Sequence, residues 1–430
     1  MFNRCFQDKL NQIKLAIQTI LAPPSRHSQI PIPVDPAPKP PSSLLPRPSR
    51  PAPSPPPAPS PQPVPLQDSL NQFAFDLFAQ RLKEAEVGNA LISPASIALA
   101  LGMVLTGTVD QVEQDIRATL HLSGQTRTGI NAGFAALQTH LAETGEGVKL
   151  ALANSLWSDR NRAIPLADFV ARCQESFGAE AVTLDFDAPE SLDVINGWVN
   201  EKTLGKIPSI VTQDDMAMAI LILINAIYFK GSWRIPFDPA LTEDGAFHLT
   251  DDATVQVPMM TRLGDYATFA DADVQAIRLP YGEDERFSMV ILMPARWTTL
   301  ADLAAKLDST LWHDWLTKLH PRRMNLILPR FRVEDEWDLK NPLSALGMAS
   351  AFADAEGFKR ILDGPAMIGK ALHKTFMEVN EEGTEAAGTT VVVMTRSIPP
   401  TVIVDRPFLL AIHDAATDSI LFLGQVVDPR

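Results

Sequence analysis

The chain has 430 residues, 46% of them hydrophobic, which is enough to bury a large core. Its formal charge of -14 is unevenly divided, because residues 1–66 hold seven Lys and Arg against Asp8 and Asp35, leaving -19 on the remainder. So acidic a remainder repels phosphate backbones, and no basic stripe or glycine loop offsets it, which argues against nucleic-acid binding.

Residues 1–21 place Phe6, Leu10, Ile13, Ile17 and Ile20 on one helix face, with Arg4, Lys9 and Lys14 around them. The apolar run at 15–22 is broken by Gln18 and Thr19 and no good cleavage site follows, so it makes a poor signal peptide. It is also too short to span a bilayer as a simple helix. Contact with a membrane surface or a partner helix is one expectation; an atypical export signal is the other.

Between Pro23 and Pro65 lie 19 of the 36 prolines. Prolines at this density favour a solvated polyproline II chain, so residues 22–66 read as a linker with a reach of about 140 Å. Pro-x-x-Pro patterns such as 53–56 also suit a proline-binding domain, but any proline tract contains them. The two cysteines, Cys5 and Cys173, fall on either side of this linker, and no structural disulfide is expected between them.

From residue 67 onward the pattern is that of a globular domain. A helix starting at a cap on Asp68 or Ser69 carries Leu70, Phe73, Leu77 and Phe78. Ser93 followed by Pro94 starts a second helix, apolar nearly all round and therefore buried. Amphipathic stretches at 110–120 and 128–143, a strand at 148–157, a helix at 166–177, a strand at 181–186 and a helix at 189–204 follow. Residues 216–229 are apolar enough for a central strand covered on both faces. Short strands are then expected at 254–260, 266–270, 275–279, 286–293 and 324–333, with helices near 299–307 and 338–346. Three apolar strands close the chain at 401–405, 407–413 and 419–427. Helices early and strands late imply an α+β fold with mixed sheets.

Motifs for enzyme chemistry are missing: there is no Gly-x-Ser-x-Gly, His-Glu-x-x-His, Cys-x-x-Cys or phosphate-binding glycine loop. The eight histidines are scattered singly; His313 and His320 lack a third ligand, so neither a metal nor another cofactor is expected.

The segment 381–400 is different in kind. After a charged turn containing Gly383 come eleven residues, 386–396, with no proline and no charge before Arg396. The small residues lead and the β-branched ones follow, which suits an extended strand. Thr384, Ala386, Gly388, Thr390, Val392 and Met394 alternate onto one uncharged face, while Glu385 faces the other way. Arg396 ends the run, where a fixed strand gains nothing from it, and Pro399 and Pro400 stop further pairing. The pattern suits a segment able to enter a sheet between existing strands; an ordinary strand or an edge hairpin is the alternative.

This region closely resembles the hinge and reactive loop of inhibitory serpins, and the resemblance runs from about Asp68 to the end of the chain. Asn89-x-x-x-Ser93-Pro94-x-Ser96, Asn154-Ser-Leu-Trp157, Thr203-x-Gly-Lys-Ile207 and Asn225-Ala-Ile-Tyr-Phe-Lys-Gly-x-Trp233 occur in the family's order. So do Leu328-Pro-Arg-Phe331, His373-Lys374, Glu378-Val-Asn380, Arg406-Pro-Phe408 and Phe422-Leu-Gly424. The resemblance implies a serpin fold, with a helical N-terminal part and an exposed reactive loop, over residues 67–430. It also implies an inhibitor rather than an enzyme: a suicide substrate whose cleaved loop inserts into the central sheet and traps the acyl-enzyme. The hinge would comprise Glu382, Gly383, Thr384, Glu385, Ala386 and Ala387. The strands would part near Ser93, Ser96, Asn225 and His373.

The reactive bond is expected at Arg396-Ser397, because Ser-Ile-Pro-Pro follows Arg396 and a guanidinium suits a trypsin-like pocket. Counting from the hinge at the commonest family length lands on Ser397 instead, so the cut after Ser397 stays open. The expected partner is a trypsin-like serine protease, met by a monomer in an extracellular or periplasmic setting. A non-inhibitory serpin, acting as a binding or chaperone protein, is the alternative. Residues 126–145 hold Arg127 as their only Lys or Arg, so no heparin-type activation is expected.

Overall fold

The computed structural model describes residues 66–84, 88–217, 219–250, 253–383 and 399–430. The amphipathic segment, nearly all of the linker, and Thr384 through Ile398 lie outside them.

Helices α1 (Leu66–Glu84), α2 (Pro94–Leu105), α3 (Asp110–Thr119) and α4 (Arg127–Ala142) occupy the first part of the domain. Helix α1 begins ahead of both expected caps: Asp68 lies in its first turn, and the Ser69 hydroxyl donates to the His121 carbonyl instead. Helix α2 is buried at every position, as its nearly all-apolar sequence leads one to expect. Helices α5 (Ala167–Phe177), α6 (Glu190–Lys202) and α7 (Gln213–Ala217) follow, then α8 (Leu300–Lys306), α9 (Ser309–Lys318) and α10 (Lys340–Leu343).

Among the described residues, five strands form the sheet that matters most here. In spatial order they are β11 (Phe331–Asp338), β13 (Ile368–Val379), β5 (Leu221–Gly231), β2 (Val148–Asp159) and β4 (Glu180–Leu184). Strands β13 and β5 run parallel, paired from Ile368 with Leu221 to Phe376 with Tyr228. Strand β5 is covered on both faces, as its continuous apolar run anticipates. Leu221, Leu223, Ile227 and Phe229 enter the main core with α2, while Ile222, Ile224, Ala226 and Tyr228 pack with Ile195 and Val199 of α6. Its start is corrected, however: residues 216 and 217 belong to α7, not to the strand.

A second, nine-stranded sheet contains β1 (Ala90–Ile92), β6 (Glu243–Thr250), β7 (Ala253–Ala270), β8 (Val274–Pro280), β9 (Phe287–Pro294) and β10 (His320–Pro329). It is completed by β14 (Thr401–Ile403), β15 (Phe408–Asp414) and β16 (Ser419–Val426). Strand β14 pairs in parallel with β10, and so the chain beyond the loop returns to a different sheet from the one it left. The short strands β3 (Ile164–Pro165) and β12 (Leu362–Asp363) pair with each other.

Two strands expected at 254–260 and 266–270 are one continuous strand, β7, and the run at 324–333 is split between β10 and β11 at Arg330. Both corrections have one cause. Local periodicity does not distinguish a bent strand from two, because pairing with a neighbour decides.

Candidate functional site

The seam between β13 and β5 carries a buried polar knot. His373, Asn225 and Asn154 stand at one register across the three adjacent strands β13, β5 and β2. His373 Nδ1 lies 2.5 Å from Asn225 Oδ1, and Asn225 Nδ2 donates to Ser96 Oγ at 2.5 Å and to the Asn154 side-chain oxygen. The backbone N–H of Ser93 donates to His373 Nε2 at 3.0 Å, which leaves the ring proton on Nδ1, facing Asn225. The Ser93 hydroxyl donates to the Leu421 carbonyl at 2.6 Å rather than capping α2.

These four predicted residues are thus brought together, at 0–1% exposure. Asn154 is a fifth member that sequence reasoning used only as a motif residue. Its signal was a polar side chain directly after the apolar run Leu150 to Ala153. Burial pushes the His373 pKa from 6.5 down to about 3, so the ring is neutral. Parting β13 from β5 here means breaking the His373–Asn225 hydrogen bond, one link in a network that runs across all three strands.

Where the loop leaves β13, the chain is fixed to the end of β5. Trp233 N–H donates to the Glu382 carbonyl at 3.0 Å, Phe237 N–H to the Glu381 carbonyl at 2.8 Å, and Trp233 Nε1 to the Asn380 carbonyl at 3.0 Å. Gly383 has φ of 128°, and a Cβ there would collide with the Gly231 carbonyl and the Trp233 amide. Only glycine fits. Glu382 and Gly383 therefore sit at the mouth of the seam; the remaining hinge positions and the reactive bond are outside the described residues.

Glu381 is the anchor of this junction. It is 4% exposed, and its carboxylate accepts Arg330 Nε at 2.7 Å and the Thr242 hydroxyl at 2.5 Å. Burial pushes its pKa up, but the hydrogen bonds from Arg330 and Thr242 outweigh burial and hold it below the usual carboxylate range. Arg330 comes from the junction of β10 and β11 and Thr242 from the approach to β6, so three distant segments meet on one carboxylate. Glu381→Lys should cost about 3 kcal/mol or more, because it removes the carboxylate that pairs with Arg330 and sets a second cation against that guanidinium. A chemical-denaturation midpoint equal to that of the unsubstituted protein would contradict this role.

Among the described residues no group of three or more His, Cys, Asp or Glu could hold a metal ion, and no helix is long and apolar enough to cross a membrane. Cys173 is free and buried, and desolvation pushes its thiol up to about 12, which leaves it unreactive.

A mixed five-stranded sheet with a buried polar knot across its central strands and a glycine turn where β13 ends belongs to the α+β class. The family model described as serpin (serine protease inhibitor) matches residues 68–429. The chain belongs to the serpin family, with its α+β fold of mixed sheets, and its leukocyte elastase inhibitor relatives are named as protease inhibitors rather than enzymes. It is 36% identical over 376 residues to leukocyte elastase inhibitor of Sus scrofa, covering 83% of this chain and 98% of that protein. It is also 32% identical over 378 residues to neuroserpin of Gallus gallus, covering 84% of this chain and 92% of that one. Among solved structures, human thyroxine-binding globulin in complex with thyroxine is similar at a TM-score of 0.79 and 29% identity, over 85% of this chain and 98% of that chain.

Proposed function

We propose that this serpin traps trypsin-like serine proteases as a suicide substrate. Serine-protease inhibition is the family's described activity; the target class and the trapping step are our reading. The observation that carries it is the geometry at the hinge: Gly383 bridges Ser232, directly beyond the end of β5, so a strand beginning at Thr384 starts where β5 and β13 diverge. The protease serine attacks the Arg396 carbonyl and the amine of Ser397 departs, leaving an acyl-enzyme. Residues 384–394, small-sided and uncharged on one face, then enter between β5 and β13. Inhibition requires that insertion outrun deacylation.

Residues 67–430 form the inhibitory domain in this reading. Residues 22–66 supply a tether, and residues 1–21 supply a face for a membrane surface or partner. The test is incubation with trypsin. A covalent complex that survives SDS is expected, with mass spectrometry placing the cut after Arg396. A cut after Ser397 would instead favour elastase-like targets, in keeping with what the leukocyte elastase inhibitors are named for.

The likeness to thyroxine-binding globulin favours a second reading, in which this serpin binds a ligand and its loop never inserts. Clean cleavage by trypsin with no complex would select that reading and end the first.

A further inference from the structure

Phe376 and Tyr228 are the last paired residues of the β13–β5 seam on the hinge side. Their rings, one on each strand, lie 6.2 Å apart. Lys206 sits over both, its ammonium 5.3 Å from the Phe376 centroid and 5.8 Å from that of Tyr228. A cation near two ring faces is attracted to each quadrupole, and here the two rings belong to the two strands that insertion must separate. The attraction to at least one ring must be lost when the strands part.

Lys206 is held in place independently of this contact. It belongs to the connection between α6 and β5, which lies across the seam. Ile207 and Ile210 of that connection are buried in the same core cluster as Tyr228 and Phe376. Lys374 of β13 donates to the Ser209 carbonyl at 3.0 Å, and Lys370 of β13 pairs with Asp215 at 3.0 Å. Asn196 of α6 accepts the Ile210 and Val211 N–H groups at 2.9 and 3.0 Å. The covering segment is thus bonded to β13 while covalently continuous with β5.

We infer that Lys206 is a latch on the first closed rung below the hinge, and that it sets the rate at which the seam admits a strand. This rests on the reading that the seam is where the loop inserts. The latch works against insertion: it keeps the uncleaved protein closed, and it lengthens the time that deacylation has to win.

The test uses a synthetic peptide with the sequence of residues 384–394, whose uptake by the full chain needs no protease. Lys206→Met keeps the apolar stem and removes the charge. It should take up the peptide about fivefold faster, the rate equivalent of about 1 kcal/mol. Lys206→Arg should keep the original rate. In a Phe376→Leu background, Lys206→Met should accelerate uptake by less than it does alone, since one of the two rings is already gone. An unchanged rate in Lys206→Met, equal acceleration in Lys206→Arg, or full additivity with Phe376→Leu would each overturn the latch while leaving strand insertion intact. Failure of the unsubstituted protein to take up any peptide would overturn both.

Discussion

Thr384→Arg is expected to convert the inhibitor into an ordinary substrate: trypsin cleaves it, releases it and stays active. The reason lies in what surrounds β5. One face of that strand looks into the main core with α2 and the other into the cluster with α6, so a strand inserted beside it is covered on both sides. An arginine on the leading residue would have to leave water with no anion to meet it. A cost of about 4 kcal/mol for a buried unpaired charge would slow insertion about a thousandfold. Deacylation would then win every turnover. Thr384→Glu should behave the same way, and it adds no new trypsin site. Measured as the ratio of inhibitor consumed to protease inhibited, both variants should fail to reach an end point. Retention of an SDS-stable complex by both would contradict strand insertion.

The second large effect concerns acid. His373 accepts the Ser93 N–H on Nε2, and burial holds its pKa at about 3 rather than 6.5. Below pH 6.5 the unfolded chain therefore binds a proton that the folded chain refuses until about pH 3. Stability falls as pH falls through that window, by about 1.4 kcal/mol per unit, and this group contributes no slope above it. At pH 4.5 the loss should be on the order of 2–3 kcal/mol relative to pH 7. His373→Gln should be less stable at pH 7, because the knot around Asn225 loses a partner, but its stability should fall less steeply on acidification. Urea midpoints at the two pH values test this directly, and equal slopes for both proteins would sink it. Carboxylates such as Glu381 and Asp414, held low by Arg330 and Arg286 against the opposing effect of burial, also lose stability as pH falls, and both proteins share that loss.

Several elements were legible without coordinates. The nearly all-apolar run of α2 and the helical spacing of α3, α4, α5 and α6 each report a local environment, and the observed helices fall within a few residues of the expected ones. Strand β13 was not foreseen. Its Lys370, His373, Lys374, Thr375 and Glu378 break the apolar alternation; the first four are satisfied by Asp338 and Glu336 of β11, Ser93 ahead of α2, Ser209 of the covering segment and the Leu91 carbonyl of β1. Helix α9 was also passed over, although Asp308 caps it by accepting the Leu311 N–H at 2.7 Å.

The proline-rich composition of residues 22–66, the glycine at 383, the uncharged alternate positions from Thr384 to Met394 and the family motifs were all readable in the chain. These are properties of consecutive residues, and consecutive residues are what a sequence displays. Tertiary structure alone decided that Arg330 and Thr242 meet on Glu381, that Asn154 joins His373 and Asn225, and that Lys206 lies over two rings on two strands. Each of these depends on the register in which distant strands pair, and one residue of slip would turn every one of the side chains to the opposite face.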